Sequence, residues 1–521
     1  MNRQQRERHL RAGRTVADLA VILVLLSGCA PAEVPDAAWF GLELPPGLGD
    51  PHHPVVRVAD VVPAPLSVPA GEKDNHDLEG VRILADVDTI TGFSRQDRAA
   101  GNRMWGRVTG RPSAAATMEW VGDQFQDAGL QDVEAQAYDG TEDMWWPRTW
   151  EVRLVADPAF GAGSQDVVLE SALPTSGSEI PGLTLAAALV DVGRTSDETL
   201  ADVDVRGKVA VQHLRPASGA YSERRQTVAR ARALMSQGAV AVLNVVEQTG
   251  NMHLRDFSNC DGPCFNIGTA DGAFLDAVMA RAAETGASDT LRLELSLETE
   301  MLAGLTGHNV VGVVPGASDE NIIVNAHADG WFDAAGDNAD GLAVLLAMAR
   351  HFARPEHQLD RTLVFVASGG HHSRGLNGPT NFVTMNPALT EKTVLVLNLE
   401  HIAQLAIQSG AWTVDSTEQR MSFGIDNEDP LLIDAGQRGM ARYGFQLNPE
   451  FRASVPGDLG GYRPLGVPRV QAIHSGPMYH ASGDVLETIS VPGLERAARF
   501  YAFFVREVAM ASRDDLGRGP E

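Results

Sequence analysis

The stretch NIIVNAHADG, residues 321–330, leads from a largely apolar run directly into His327 and Asp329. Its apolar residues are continuous rather than alternating, which is typical of a strand buried on both faces of a sheet. After a glycine-rich turn, GDNADGLAVLLAMARHF (336–352) predicts a helix that begins beside Asp337 and buries its leucines. Strand followed by helix is the repeating unit of a parallel sheet. The stretch therefore predicts an α/β fold whose central, mainly parallel sheet is flanked by helices.

Three later apolar stretches also end in imidazole or carboxylate side chains. They are TLVFVASGG before His371 and His372, TVLVLNLEHIA with Glu400, and VPRVQAIHSGPMYH with His480. Because ligands bind beyond the carboxyl ends of strands in open α/β sheets, we expect these side chains to meet at one edge. The expected cluster consists of His327, Asp329, Asp337, His371, His372, Glu400 and His480. Nitrogen and carboxylate donors without thiolate suit zinc or a similar divalent metal.

The first residues predict an export signal rather than part of the fold. A basic segment precedes the short apolar run VADLAVILVLLSG, and Cys29 follows at once. The apolar run is shorter than the roughly 20 residues of a membrane span. Leu26-Ser27-Gly28-Cys29 resembles a bacterial lipobox, in which the cysteine is lipidated and becomes the new N-terminus. The alternatives are an ordinary cleaved signal and an uncleaved anchor. We expect an exported bacterial lipoprotein that faces the periplasm or lies on the outer membrane.

Composition changes along the chain predict its division into segments. The sequence has 521 residues, which is enough for two or three domains. Short β-like runs separated by glycine-rich turns predict a small, separate β-rich domain in the middle of the chain. The expected segments are a signal peptide (1–29), a Pro/Ala-rich tether (30–80), a first part of the main domain (81–160), the inserted domain (165–303), a second part with the metal site (305–510) and a tail (511–521).

Charge and cysteine content narrow the function further. The formal net charge of −26 opposes binding to phosphate backbones, so we expect no nucleic-acid partner. Cys260 and Cys264 are separated by three residues. In an exported protein this pair favours a disulfide, or two inert thiols, over a metal site.

The order and spacing of the motifs resemble those of the family of co-catalytic zinc aminopeptidases and glutamate carboxypeptidases. The motifs that carry the likeness are HNVVGVVPG, IIVNAHADG, GDNADGLAVLL, FVASGG, LNLEHIA and YHASGDVLETI. The segment between the two parts of the main domain resembles the protease-associated domain often inserted in this family, through DVRGKVAVQ and CFNIGTADGAFL. The family also contains glutaminyl cyclases and receptors that have lost catalysis.

The resemblance implies a role for each residue of the cluster. His327 matches a metal-ligand histidine, Asp329 the carboxylate that orients it, Asp337 the ligand that bridges two metals, and His480 the distal ligand of one metal. The implied shells are His327, Glu400 and Asp337 on one zinc ion, and His372, His480 and Asp337 on the other. One or two zinc ions, or another divalent metal, are therefore expected.

The chain departs from the family pattern at two strand ends. The family usually has Glu-Glu where this chain has His371-His372, the first as general base and the second as metal ligand. It usually has Asp where this chain has Glu400. One anionic ligand is lost, so weaker binding of at least one metal, or a single-metal site, is expected. Three alternatives stay open: His371 is the general base, His371 ligates in place of His372, or the site is vestigial.

Two further segments resemble family elements near the substrate. ASVPGDLGGYRPLGVP (453–468) resembles the loop that lines the substrate pocket, so Asp458 and Tyr462 are weak candidates for substrate contacts, although turn formation explains its glycines equally well. GRVTGRPS (106–113) resembles a segment near the peptidase N-terminus, where Arg111 is expected to anchor the following helix.

Three functions follow as hypotheses. The first is a lipid-anchored exopeptidase, foremost an aminopeptidase, that hydrolyses a peptide or small amide with a metal-activated water. The second is a non-catalytic receptor or binding lipoprotein on the same fold, which the loss of Glu-Glu favours. The third is an acyl transferase of the glutaminyl-cyclase type. Retention of His327, Asp337 and His480 favours the first and third.

Overall fold

The computed structural model describes most of the chain between residues 36 and 516. Strands are numbered β1–β21 and helices α1–α9 along the described residues. The described residues are 36–48, 57–58, 64–195, 203–215, 221–255, 260–409, 412–414, 422–425, 429–444, 448–451, 457–473 and 476–516.

An eight-stranded mixed sheet carries the sequence motifs. Its order is β20-β19-β21-β16-β13-β15-β12-β3, and the four neighbours β21, β16, β13 and β15 run parallel. Its strands are β3 (Gln131–Asp139), β12 (Thr306–Val314), β13 (Ser318–His327), β15 (Arg361–Ser368), β16 (Thr393–Leu399), β19 (Ser422–Ile425), β20 (Asn448–Phe451) and β21 (Arg469–Ile473). The predicted α/β fold is confirmed.

Helices cover both faces of this main sheet, as the continuous apolar strands predict. The larger core packs the sheet against five helices, and the smaller one packs it against α6 and the turn Gly457–Gly460. The helices of the larger core are α1 (Gly80–Ala99), α2 (Pro112–Asp127), α5 (Asp340–Ala353), α8 (Pro430–Tyr443) and α9 (Val491–Ala509), and those of the other face are α6 (Gly378–Met385) and α7 (Pro387–Thr390). Val324 lies between Phe365 and Leu397 in the register, so neighbouring strands present their side chains to the same core.

A second eight-stranded sheet forms between β3 and β12. Its order is β5-β4-β11-β7-β8-β9-β10-β6. Its strands are β4 (Met144–Leu154), β5 (Val167–Val168), β6 (Leu173–Pro174), β7 (Thr184–Arg194), β8 (Val209–Leu214), β9 (Ala241–Val246), β10 (Cys264–Ile267) and β11 (Arg292–Leu302). The second sheet thus begins at Met144, earlier than the expected boundary at 165. Residues 144–160 belong to it because β4 pairs along its length with β11.

The second domain contains more helix than the short β-like runs of its sequence indicate. It carries two helices, α3 (Tyr221–Ser236) and α4 (Thr269–Thr285). The helix α3 coincides with the amphipathic run RQTVARARALMSQG (225–238), whereas no sequence pattern predicted α4. Leu275 and Val278 of α4 are fully buried. Because the helix carries few charges and little amphipathic contrast, its periodicity was weak in the sequence. That this unit is a protease-associated domain stays a prediction.

The short remaining strands tie loops together. They are β1 (Arg57–Val58), β17 (Ile407–Ser409) and β18 (Trp412–Val414), which form one small sheet, and β2 (Gly106–Arg107) and β14 (Gly330–Trp331), which pair with each other. The pairing of β2 with β14 holds the loop after β13 against the segment before α2.

The expected tether and tail differ from what the structure describes. Within 30–80, Trp39 is buried and stacks on Phe160 with 5.3 Å between ring centroids, and Leu78 joins the main core. Within 511–521, Leu516 is also buried. Burial of large apolar side chains lowers the free energy of the folded chain. These segments therefore pack against the domains, although a composition rich in proline and alanine predicts a free linker. The predicted signal and Cys29 lie outside the described residues. No helix in the described part of the chain has the length and apolarity to cross a membrane.

His351 of α5 is a buried titratable group away from the predicted site. Its ring stacks on His357 with 3.9 Å between centroids, and neither ring nitrogen has a hydrogen-bond partner among the described residues. Burial, helped by the charges of His357 and Arg506, lowers the pKa of His351 to about 3.

We expect His351→Leu to flatten the acid side of the stability profile. The unfolded chain binds this proton near the ordinary pKa of 6.5, whereas the folded chain binds it only near about 3. Protonation therefore favours unfolding, and stability is lost as the pH falls below 6.5, by about 1.4 kcal/mol per pH unit at most. The fall in Tm between about pH 7.5 and pH 5 should be smaller in the variant than in the wild type. The exposed control His76→Gln should keep the wild-type fall, and an unchanged slope in His351→Leu would contradict the assignment.

Candidate metal centre

The predicted donor residues converge at the carboxyl edge of the parallel strands. β13 ends at His327, β15 leads through two glycines to His371 and His372, and Glu400 directly follows β16. His480 lies after β21, and Asp337 lies in the turn Ala335–Ala339 before α5. All are buried except His371 and His372, which are partly exposed.

Asp337 is the central carboxylate of the cluster. Its Oδ1 lies 3.2 Å from His372 Nε2 and 3.5 Å from His327 Nε2, and its Oδ2 lies 3.1 Å from His480 Nε2. Three imidazoles from three different strand ends therefore surround one carboxylate. This is the position that the resemblance assigns to a bridging ligand.

Asp329 fixes the two histidines after β15 through their backbone. Its Oδ1 accepts the N–H of His371 (3.2 Å) and its Oδ2 accepts the N–H of His372 (3.0 Å). The ring of His371 consequently stacks on that of His327, with 4.1 Å between centroids. His327 Nδ1 donates to the carbonyl of Asp329 at 3.0 Å, which leaves Nε2 as the ligating nitrogen.

Glu400 has a histidine neighbour that the sequence analysis missed. Glu400 Oε2 accepts a hydrogen bond from Asn398, and its Oε1 lies 3.7 Å from His371 Nε2 and 3.5 Å from His401 Nε2. His401 Nδ1 donates to the carbonyl of Gly336 at 3.2 Å, so Nε2 faces Asp337 at 3.7 Å. The signal was present in LNLEHIA, because His401 directly follows the predicted donor at a strand end.

Asp458 and Tyr462 lie beneath the cluster rather than on a pocket wall. Asp458 is buried, and its Oδ1 accepts a 2.7 Å hydrogen bond from His371 Nδ1. Its Oδ2 accepts hydrogen bonds from Ser368 and Asn325. Tyr462 is fully buried and donates to Asn325 Oδ1. The expectation of substrate contacts therefore gives way to a different role for Asp458, which orients His371.

The loops that carry the donors are held by two polar side chains in the interior, those of Arg107 and Asp484. Arg107 is completely buried and donates to the carbonyls of Ala328, Asp333 and Ala334, so it clamps the loop between His327 and Asp337. Asp484 accepts the N–H groups of Gly336 and Asp337, and thereby ties the turn before α5 to the loop of His480. Neither residue was predicted, because their partners are backbone atoms far away in sequence.

The cluster shifts the pKa values of its members in opposite directions. Burial would raise the pKa of Asp337, but the surrounding imidazoles outweigh it and hold this pKa well below its ordinary value. Burial lowers the pKa of His372 to about 4. Burial also opposes the charge on His371, yet Glu400 and Asp458 raise its pKa well above the ordinary value. An ionised Asp337 next to a neutral His372 is the state that a metal cation requires of these two ligands.

The donor set fits a divalent metal. His327, His371 and His372 form one group, and Asp337, His372 and His480 form another. Within each group the ligating atoms lie within 4.8 Å of one another. His327 Nε2 and Asp337 Oδ2 are buried without a hydrogen-bond partner among the described residues. Buried polar atoms are rarely left unpaired, so these two atoms point to an absent cation.

One loop of the second domain contacts the segment that carries His480. Leu254 forms a bridge with Ala481, and the N–H of Arg255 donates to the carbonyl of His480. The guanidinium of Arg255 lies over the ring of Trp331, 3.7 Å from its centroid. In the same domain, Cys260 and Cys264 are joined by a disulfide.

Comparison with protein families agrees with the motif order. Residues 309–505 match peptidase family M28. This segment is an M28 peptidase domain. The family resemblance that the motifs carry is thereby confirmed, and the match contains every donor from His327 to His480. No curated protein has significant sequence similarity to this chain.

Solved structures share the fold over nearly their whole length. A peptidase M28 precursor from Shewanella amazonensis SB2B is 18% identical, with a TM-score of 0.64, and the match covers 86% of this chain and 99% of that one. BSAP, a zinc aminopeptidase from Bacillus subtilis, is 19% identical, with a TM-score of 0.54 and coverage of 84% and 98%. An aminopeptidase from Aneurinibacillus sp. strain AM-1 is 20% identical, with a TM-score of 0.52 and coverage of 87% and 98%. The M28 domain and the inserted second domain thus occur together in known folds.

We expect Asp329→Asn to weaken metal binding by the M28 domain about 10- to 100-fold, the usual effect of losing a group that orients the ligands. The amide keeps the size of the side chain but can no longer accept both N–H groups of His371 and His372 as a carboxylate does. The measurement is a metal titration against a competing chelator. The exposed control Asp127→Asn, at the end of α2, should bind metal as the wild type does. Equal affinity in Asp329→Asn would show that the loop needs no such clamp.

Proposed function

We propose that this protein is a zinc-dependent exopeptidase, foremost an aminopeptidase. The observation that carries the proposal is the pair of donor groups that share His372 inside an M28 domain. Within them, His327 Nε2 and Asp337 Oδ2 are buried without a hydrogen-bond partner among the described residues. Zinc aminopeptidases among the similar folds support the choice of metal and reaction. The substrate is a peptide or a small amide.

Five residues would hold the zinc. Asp337, His372 and His480 would form one set, while His327 and Glu400 would complete the other with Asp337. His401 Nε2, which faces Asp337 and Glu400, stands beside the second set as a further donor. Zinc, when bound, polarises a substrate carbonyl and lowers the pKa of water.

His371 would move the proton in this reaction. Its Nδ1–H is fixed by Asp458 at 2.7 Å, which leaves Nε2 on the side of Glu400 and the donor cluster. Imidazole can accept a proton near neutral pH, so Nε2 would take the proton from the attacking water and return it to the leaving amine. A cation bound by Glu400 would offset the carboxylate charge that now favours protonated His371.

We expect His371→Gln to lower kcat by about 10²- to 10⁴-fold, the usual cost of losing a general base. Metal content per chain should stay at the wild-type value, because the five zinc-holding residues are intact. Asp458→Asn should lower kcat by a smaller factor and leave KM unchanged, since the ring stays in place with a weaker orienting partner. The measurement is the release of 4-nitroaniline from leucine 4-nitroanilide, together with metal analysis of each protein. His76→Gln is the exposed control.

Other outcomes would separate the remaining hypotheses. Loss of metal in His371→Gln would make this residue a ligand and not the base. A fully zinc-loaded wild type that hydrolyses no amino-acid anilide or peptide would contradict the exopeptidase and leave a binding lipoprotein. Cyclisation of N-terminal glutamine would identify the acyl transferase instead.

We also propose that the protein is anchored to a bacterial membrane through a lipid on Cys29, on the outer membrane or facing the periplasm. The support is the order of a basic segment, a short apolar run and Leu26-Ser27-Gly28-Cys29 in the sequence. Ala30 rather than Asp follows the cysteine, which favours the outer membrane.

Cys29→Ser should release the protein from membranes, because a lipid chain supplies most of the binding energy of such anchors. The measurement is membrane fractionation of a bacterial host together with labelling by a fatty-acid analogue. Cys260→Ser is a matched cysteine control that should keep both the label and the membrane association. Label that persists in Cys29→Ser would refute the anchor.

A further inference from the structure

A cavity of about 330 Å³ lies beside the metal centre and outside the donor cluster. Its walls include Thr109, Arg111, Met118, Leu305, His308 and Gly369. Thr109 Oγ1 accepts the N–H of Gly370, and Gly369 stands two residues before His371. The cavity wall is therefore within about 7 Å of His371 along the chain.

The cavity also lies where the chain crosses between the two sheets. The chain leaves the main sheet after β3 and returns to it at β12, so the two crossings are residues 140–143 and 303–305. They are joined by a hydrogen bond of 2.8 Å from Gly140 N–H to the carbonyl of Leu305. Gly304, Leu305 and Thr306 of the second crossing line the cavity. A ligand held there touches both the M28 domain and the connection to the second domain.

Arg111 brings a positive charge to this cavity and forms no ion pair among the described residues. Its guanidinium stacks over Trp146, 4.9 Å from the ring centroid, and its Nε is buried without a hydrogen-bond partner among the described residues. Asp97 feels this charge, but its carboxylate is already engaged by Asn102 and by the N–H of Gly106. Stacking on tryptophan leaves the edge of the guanidinium, where its donors lie, open to a planar anion.

The remaining walls define what kind of anion fits. Leu305, Met118, Ala114 and Pro112 are apolar, while Thr109 and His308 add few polar atoms. A phosphate would call for several cations, whereas the planar guanidinium matches a carboxylate through two parallel hydrogen bonds. The volume suits a ligand about as large as a leucine side chain with its carboxyl group.

We propose that this cavity is a binding site for a small organic carboxylate with an apolar chain, held by Arg111. Two sources share this chemistry: a carboxylate of the peptide substrate, and a separate small carboxylate. Arg111 is half-buried and has no ion-pair partner in the described part of the chain, so a bound carboxylate would supply that partner. The proposal does not rest on the exopeptidase function, because binding requires no turnover.

The test is calorimetric titration of the purified protein with 4-methylpentanoate, with its uncharged amide as the paired ligand. We expect the acid to bind and the amide to bind at least about tenfold more weakly. Arg111→Gln should weaken binding of the acid at least about tenfold. Arg148→Gln is the matched control, because Arg148 lies on neighbouring β4 and is exposed. The same titration after treatment with chelator excludes binding through the metal.

Equal binding of acid and amide, or acid binding unchanged in Arg111→Gln, overturns the proposal, as does acid binding that disappears with the metal. If the site is supported, its source follows from inhibition of peptide hydrolysis. Competitive inhibition by 4-methylpentanoate, together with a raised KM for acidic peptides in Arg111→Gln, assigns the cavity to the substrate. Binding without competition assigns it to a separate carboxylate. Absence of hydrolysis contradicts the proposed function alone and leaves the binding result standing.

Discussion

The donor cluster depends on two hydrogen bonds, in which the carboxylate oxygens of Asp329 accept the backbone N–H groups of His371 and His372. They join the end of β13 to the loop after β15, two strands that neighbour each other in the sheet. Burying a carboxylate costs free energy unless hydrogen-bond donors surround it. Loss of either hydrogen bond to Asp329 would therefore strongly destabilise the folded protein. The same rule governs Asp484, whose oxygens accept the N–H groups of Gly336 and Asp337. Backbone amides thus fix the loops, and the imidazoles remain available for a cation.

The sequence was informative about the strand ends because an apolar pattern and a rule of sheet topology together determine them. Continuous apolar runs identified the parallel strands, and the topology of such sheets requires their carboxyl ends to meet. His327, Asp337, His372 and His480 could therefore be predicted to lie together without knowledge of any contact. His401 belonged to the same pattern, but after this strand only Glu400 was predicted as a donor. Arg107 could not be found in this way, because its partners are backbone carbonyls and no spacing in the sequence records them.

The boundary between the domains was the least predictable part of the fold. β3 and β4 follow each other after a short turn, and both alternate like ordinary strands, yet they pair in different sheets. Local pattern specifies that a segment is a strand but not which partner it finds, since pairing depends on residues more than a hundred positions away. Trp39 illustrates the same limit. The residues next to it in the sequence have the composition of a linker, but its ring packs against Phe160 in the second domain.

Where the family has two glutamates and this chain has two histidines, a negative charge is still nearby, because Asp458 lies behind His371. His371 brings no negative charge to the position where the family has a carboxylate base, but Asp458 places a carboxylate directly behind it, and Ser368 and Asn325 fix that carboxylate. The proposed acid–base group is thus a pair of side chains, His371 and Asp458, from two distant segments. For the metal, imidazole in place of carboxylate at His372 shifts the donor set towards nitrogen. Such a set favours zinc over magnesium, calcium or manganese, which prefer oxygen ligands. The altered motif therefore combines a nitrogen-rich donor set, which favours zinc, with a histidine whose ring is held by a buried carboxylate.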